Sequence, residues 1–330
     1  MNDTRAGWSE YDRFGPWIDQ VKAREEIPPL YRDHPLDLDA TRLVLKVPRN
    51  IDRRDATPGM DLYDHLAYLD EEGLTVLSRR IESSSRKVTV VRGYDVTSMP
   101  YPDVAAVLHT ENLLDNRLTV FTRDGMSLSF RYNASGRDSV GRLIATLRAE
   151  FAALTPTAIG ARLSETAARL PRPTETDLEE TDPVFVYGIE EIAREHDGVV
   201  PWTCHARTPA VPRDDGLVGA FHKLTHAIAP VTLHGGIVAG DGVAVEVVGR
   251  REWLIRSRNA VYSRSRLTIP FGALEGIEIA AHDRYVGASV VRFVAGAARN
   301  EIVVPDSSSA FALFSEVRAV GVGAIRGRRA

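Results

Sequence analysis

From residue 64 onward, apolar and polar positions alternate with period 2. HLAYLD (65–70), LTVLSRR (74–80), KVTVVRGYDV (87–96) and LTVFTRDGMSLSFRY (118–132) read as strands, separated by turn signals at Glu71-Glu72-Gly73 and Asp124-Gly125. The period then lengthens. In SVGRLIATLRAEFAAL (139–154), Val140, Leu143, Ile144, Leu147, Phe151 and Leu154 form one stripe at helical spacing. Asp138 or Ser139 is the expected N-cap, and Thr155-Pro156 ends the helix, because the residue before proline disfavours it.

The same order returns in the second half. GVAVEVVG (242–249), REWLIRSR (251–258), AVYSRSRLTI (260–269), LEGIEIAA (274–281), ASVVRFVAG (288–296) and NEIVVPD (300–306) read as strands, and SSSAFALFSEVRAV (307–320) as a helix. Ala310, Leu313, Phe314 and Val317 are Val140, Leu143, Ile144 and Leu147 displaced by 170 positions. The same displacement carries Met99, Pro100 and Tyr101 onto Ile269, Pro270 and Phe271. An offset shared by strand and helix predicts two copies of one unit, an antiparallel β-domain followed by a helix.

Residues 1–60 lack a period and are rich in proline and charge, so they read as an arm packed on the first domain. The predicted domains are 61–155 and 233–330. A mostly helical connecting segment, 156–232, includes PTAIGARLSETAARL and GLVGAFHKLTHAIA, with VFVYGIEEIAREH expected to begin extended and end helical. The fold class is α+β, mainly antiparallel β. Short antiparallel strands followed by one amphipathic helix, twice over, resemble the pleckstrin-homology-like (PH-like) fold of bacterial PH-like domain proteins. That resemblance covers about 64–154 and 234–322. It implies two β-sandwich or barrel domains, each closed by its C-terminal helix. It also implies a function in binding rather than catalysis, since members recognise phosphoinositide headgroups, peptides or other proteins and some assemble into oligomers.

Composition narrows the classes further. A net charge of −4 is too mild to point to a nucleic-acid partner. The charge is uneven, however: residues 231–330 carry 13 Arg against 9 acids, so this part is the one expected to meet an anion. A single cysteine, Cys204, suits a reducing compartment. The N-terminus has no signal-type apolar core, and no apolar run reaches the roughly 18 residues of a membrane span. A cytoplasmic location is expected, with attachment at the membrane periphery as the alternative.

Three constellations carry candidate chemistry. RREWLIRSRNAVYSRSR (250–266) places Arg250, Arg251, Arg256, Arg258, Tyr262, Arg264 and Arg266 near one another, and in an extended chain the even-numbered members from 256 share a face. Arginine forks suit phosphate oxygens, which makes this a candidate anion or membrane surface. The alternatives are a protein interface, or a strand face whose arginines pair with the chain's own carboxylates. Second, VPRNIDRRDATPGMDLYD (47–64) mixes Arg49, Arg53 and Arg54 with Asp61 and Asp64, read as contacts docking the arm, with paired carboxylates or a divalent-cation site at Asp61 and Asp64 as the alternative. Third, His222 and His226, at i and i+4, have a spacing zinc can use, with Cys204 as a further candidate ligand, but Lys223 stands where a metalloprotease needs glutamate. HGGIVAGDG (234–242) fits no phosphate-cradle motif. No cofactor and no catalytic residue is assigned. The expected function is non-enzymatic: a binding or scaffold protein recognising a protein partner or itself. A peripheral binder of anionic lipid or phosphate is the alternative, and a metal-dependent enzyme the most remote one.

Overall fold

The computed structural model describes residues 10–80, 82–84, 87–89, 93–213, 230–256 and 262–326. It is α+β, with mostly antiparallel strands in several sheets and few helices. Among the described residues no helix is long and apolar enough to cross a membrane. The chain divides into two compact units. One comprises Met1–Tyr101, Leu114–Arg117 and Phe130–Glu150; the other comprises Pro102–Leu113, Leu118–Ser129 and Phe151–Ala330.

The first unit contains a five-stranded antiparallel sheet in the order β1 (Asp19–Gln20), β2 (Leu43–Pro48), β3 (Tyr63–Leu69), β4 (Gly73–Arg79) and β7 (Tyr94–Pro100). A hairpin pairs β5 (Glu82–Ser84) with β6 (Lys87–Thr89). Two helices, α1 (Glu10–Arg13) and most of α2 (Arg137–Phe151), belong to the same unit. The segment expected to be an irregular arm in fact supplies β2. All six residues of β2 are buried, so the strand has no polar alternation to betray it. The same segment puts Phe14, Val21, Ile27 and Tyr31 into a core with Leu66 and Leu77. Helix α2 starts before the expected cap. Asn133 caps a 3-10 turn at Ala134–Gly136 that runs directly into it. The Ser139 hydroxyl donates instead to the Ile18 carbonyl at 2.8 Å. The stripe from Val140 to Leu147 is buried, as its spacing predicts.

The second unit holds most of a seven-stranded sheet in the order β10 (Ser127–Tyr132), β9 (Asn116–Thr122), β8 (Val104–Glu111), β18 (Arg264–Pro270), β16 (Ala244–Gly249), β15 (Gly236–Gly240) and β11 (Val200–His205). The smaller sheets are β12 (Thr208–Pro209), β14 (Val231–Leu233) and β17 (Leu254–Arg256); β13 (Val211–Pro212) with β20 (Tyr285–Val286); and β19 (Gly276–Ala281), β21 (Ala288–Ala295) and β22 (Ala298–Pro305). Its helices are α3 (Ala158–Arg169), α4 (Glu175–Glu179), α5 (Pro183–Glu195) and α6 (Ser309–Arg326).

Alternation along the central strands sorts their side chains onto two faces. Val245, Val247, Leu267 and Ile269 join a core with Phe293, Leu313 and Phe314. Ile237, Ala239 and Val248 pack against Phe185, Ile189 and Ile192 of α5. Helix α5 is helical from its first residue, although VFVYG reads as extended. Asp182 accepts from the Val184 N–H, and Pro183 sits at the first position, where its missing N–H costs nothing. The connecting segment, read as mostly helical, also contains β11.

Strand β8 pairs antiparallel with β18, Leu108 opposite Leu267. The compact units therefore do not follow the boundaries 61–155 and 233–330 read from the sequence. Pro102–Leu113 and Leu118–Ser129 fall in the unit that holds β18.

Candidate functional site

The face of the large sheet beneath α5 carries a charged network. Arg264 and Arg266 lie two residues apart on β18 and so project the same way. Arg264 donates to Glu111 Oε2 of β8, 2.7 Å from Nε, and to Glu191 Oε2 of α5, 3.1 Å from Nη2. Arg266 makes two bonds to Glu246 of β16, Nε to Oε2 at 3.0 Å and Nη2 to Oε1 at 3.1 Å, and approaches Glu195 Oε2 at 3.7 Å. Glu246 is fully buried, and its Oε2 also accepts from the Thr268 hydroxyl at 2.7 Å. Burial raises the Glu195 pKa, with Glu191 and Glu246 adding to the rise and Arg266 opposing it.

Arg250 is held separately. It donates to the Ser263 carbonyl at 2.7 Å, forms an ion pair with Asp182, and lies 5.1 Å from the centre of the Phe185 ring. The Asp182 that caps α5 thus also holds Arg250. Five carboxylates (Glu111, Asp182, Glu191, Glu195 and Glu246) face three arginines here. Such a surface has no surplus of positive charge to offer an anion.

The other members of the arginine cluster lie apart. Arg256 ends β17, in a different sheet from β18, and is exposed. The single face expected for Arg256, Arg264 and Arg266 is therefore not formed, because the chain leaves one sheet before it enters the other. Arg258 lies outside the described residues. Arg251 is exposed, and its backbone N–H donates to the Ser263 hydroxyl. Tyr262 is exposed.

The arm residues are engaged within the first unit. Arg49 donates to the Asp61 carbonyl and lies 3.9 Å from the Asp64 carboxylate. Arg53 donates to the Phe14 carbonyl and stacks over Tyr11, 4.7 Å from the ring centre. Arg54 pairs with Asp52 on the surface. Asp64 accepts twice from Arg79, at 2.6 and 2.9 Å. Arg79 is a partner the sequence reading missed, since it lies on β4, across the β3–β4 hairpin from Asp64.

The metal alternative rests mainly on residues outside the described set. His222 and His226 lie outside the described residues, and among the described residues no cluster of three His, Cys, Asp or Glu side chains could hold a metal ion. Cys204 is half-buried on β11, and burial, with Asp177 and Glu180 nearby, pushes its thiol up to about 11. A thiol so disposed is a poor nucleophile at neutral pH. A cavity of about 390 Å³ in the second unit is lined in part by Ser164, Arg172, Asp197, Trp202 and Asp241. Asp241 serves the turn there: its Oδ1 accepts from the Val243 and Ala244 N–H groups.

His205 follows Cys204 on β11. Burial holds its imidazole down at about 4, although its 3.3 Å contact with the Ala206 carbonyl pulls the other way. The unfolded chain takes up this proton near pH 6.5. Stability is therefore intact above about 6.5 and is lost as pH falls toward about 4, by about 3 kcal/mol for this shift. His65, His234 and His282 are lowered as well and add to the same slope. Urea midpoints measured from neutral pH to about 4 are expected to fall, and the fall to be smaller in His205→Gln. An equal slope in the variant would refute this role.

No family model, no curated protein and no solved structure matches the chain.

Proposed function

We propose that this chain is a non-enzymatic binding or scaffold protein made of two copies of a PH-like unit, each closed by its C-terminal helix (α2 and α6), and that it recognises a protein partner or a second copy of itself. The observation that carries this reading is the pairing of β8 with β18. On the repeat reading, these strands come from different copies. A backbone edge of the unit therefore accepts a strand of its own kind, and edge addition of this sort is a general mode of protein recognition. The strand bounds support the repeat. Tyr94–Pro100 becomes Arg264–Pro270 on adding 170 to both ends. The buried stripe of α2 recurs in α6 by the same shift. Carboxylates already neutralise Arg250, Arg264 and Arg266, which weighs against an anionic ligand at that face.

Light scattering coupled to size exclusion, at low and high salt, tests the reading. Pairing through backbone edges gives an assembly that persists at high salt, where exposed charge interactions are screened. A chain that stays monomeric at both salts, and sediments with anionic vesicles unless Arg251 and Arg256 are changed to Glu, overturns the reading in favour of a lipid or phosphate ligand.

A further inference from the structure

Strand β18 hydrogen-bonds on both sides. The Phe271 N–H donates to the Val243 carbonyl of the β16 side, which directs the odd-numbered residues of β18 toward β16. The backbone groups of Arg264, Arg266 and Thr268 therefore point to β8, opposite Glu111, His109 and Val107. Subtracting 170 from the first set gives Tyr94, Val96 and Ser98 on β7. Adding 170 to the second gives Ala281, Ile279 and Ile277 on β19.

Both of these strands lie at sheet edges. Among the described residues β7 pairs only with β4, and β19 only with β21. The direction of their free groups can be read from neighbouring bonds. The Arg80 N–H donates to the Gly93 carbonyl, so the odd-numbered residues of β7 face β4, and Tyr94, Val96 and Ser98 face outward. The His282 N–H donates to the Ala288 carbonyl, so the even-numbered residues of β19 face β21, and Ile277, Ile279 and Ala281 face outward. The outward groups on the two open edges are thus the repeat equivalents of the groups that bond β8 to β18.

On β7, exposure follows the same division. Val96 is 50% exposed, whereas its equivalent Arg266, on the paired strand, has a side chain only 13% exposed. Ser98 is exposed, and its equivalent Thr268 is buried. Protection of the two edges is partial: Pro100 ends β7, and α6 packs beside β19. Tyr94–Ser98 contains no proline or lysine and a single charge, Asp95, and Gly276–Ala281 likewise has only Glu278. One outward carbonyl, that of Ile279, accepts from Arg318 Nη1 at 3.0 Å, and it retains a second lone pair for a strand N–H.

We propose that β19 of one molecule adds to β7 of a second copy of this chain, antiparallel, with Val96 opposite Ile279, reproducing between molecules the pairing that β8 and β18 make within one. The proposal rests on the two-copy reading given above. The two edges differ, so the contact is head-to-tail. It propagates into a ring or a filament rather than stopping at a symmetric dimer. Val96 and Ile279 form an apolar cross-strand pair at its centre.

Disulfide trapping on the full-length chain, in a Cys204→Ser background, tests it. In this register Thr97 faces Glu278 as a non-hydrogen-bonded pair, with Cα atoms about 4.5 Å apart, within reach of a disulfide. Mixing Thr97→Cys with Glu278→Cys under mild oxidation is expected to give a dimer of twice 36.4 kDa, and neither variant alone is expected to give one. Pairing Thr97→Cys with Ile279→Cys, one residue out of register, is expected to trap much less. Ser98→Pro removes an outward N–H while sparing the β4 ladder, and is expected to dissolve the assembly without loss of far-UV circular dichroism. A cross-link in Thr97→Cys alone would mean symmetric pairing and refute the proposal. An assembly that persists in Ser98→Pro with no trapped dimer also refutes it, while leaving the scaffold reading intact. So does a different protein found on β7. A monomeric chain that binds no protein refutes both.

Discussion

Glu246→Ala is expected to lower the unfolding free energy by about 3–5 kcal/mol, the cost of leaving one partner of a buried ion pair alone. Glu246 has no exposed surface, and its two carboxylate oxygens accept from Arg266 Nε and Nη2 and from the Thr268 hydroxyl. Removing the carboxylate strands a guanidinium beneath α5, with Glu195 at 3.7 Å as a remaining partner, and leaves a buried hydroxyl without its acceptor. Glu246→Gln keeps the shape and an acceptor for Thr268, so a smaller loss of about 1–3 kcal/mol is expected. The double change Glu246→Met with Arg266→Met removes both charges together and is expected to be near neutral or stabilising. Urea denaturation of the three variants checks the ordering. A loss below about 1 kcal/mol in Glu246→Ala would show that the pair is solvated in solution.

Phe314→Ala is expected to cost a similar amount, about 3–5 kcal/mol, for a different reason. Its side chain is fully buried on α6 and meets Phe293 of β21 edge-on, ring centres 5.3 Å apart and planes at 85°. Truncation opens a cavity between helix and sheet and also removes an aromatic contact worth about 0.5–1.5 kcal/mol beyond area. Phe311 is only partly buried at the border of the same core, so Phe311→Ala is expected to cost clearly less. On the two-copy reading proposed above, the prediction extends to the other helix. Ile144, the equivalent of Phe314, is buried on α2, and Ile144→Ala is expected to cost about 2–5 kcal/mol. Thermal or urea melts read all three. If Phe311→Ala and Phe314→Ala were equally costly, the orientation given to α6 would be wrong.

Where the sequence misled, the reasons are particular. Leu43–Pro48 is buried throughout, so it lacked the alternation that exposed the other strands. Val184–Tyr187 has β-branched and aromatic residues that favour strands, yet the Asp182-Pro183 start and the packing of Phe185, Ile189 and Ile192 on the sheet override that preference. The arginines of 250–266 were conspicuous as a run. Their partners Glu111, Asp182, Glu191, Glu195 and Glu246 were not, because β8, β16 and α5 with its N-cap bring them in from distant parts of the chain.

What the sequence determined by itself is periodic and local: strands where alternation survives, helices where a stripe recurs every three or four residues, and a displacement of 170 that repeats them. Those signals arise between neighbours along the chain, and a side-chain pattern suffices to show them. Only the tertiary structure decided which edges meet. Strand pairing joins backbone groups that every residue carries, so nothing in the side chains of β8 and β18 announces that they are partners while β7 and β19 stand open. The same holds for the charges. Whether an arginine faces a ligand or a carboxylate of its own chain depends on contacts between residues far apart in sequence, 153 positions for Glu111 and Arg264, and folding alone brings those together.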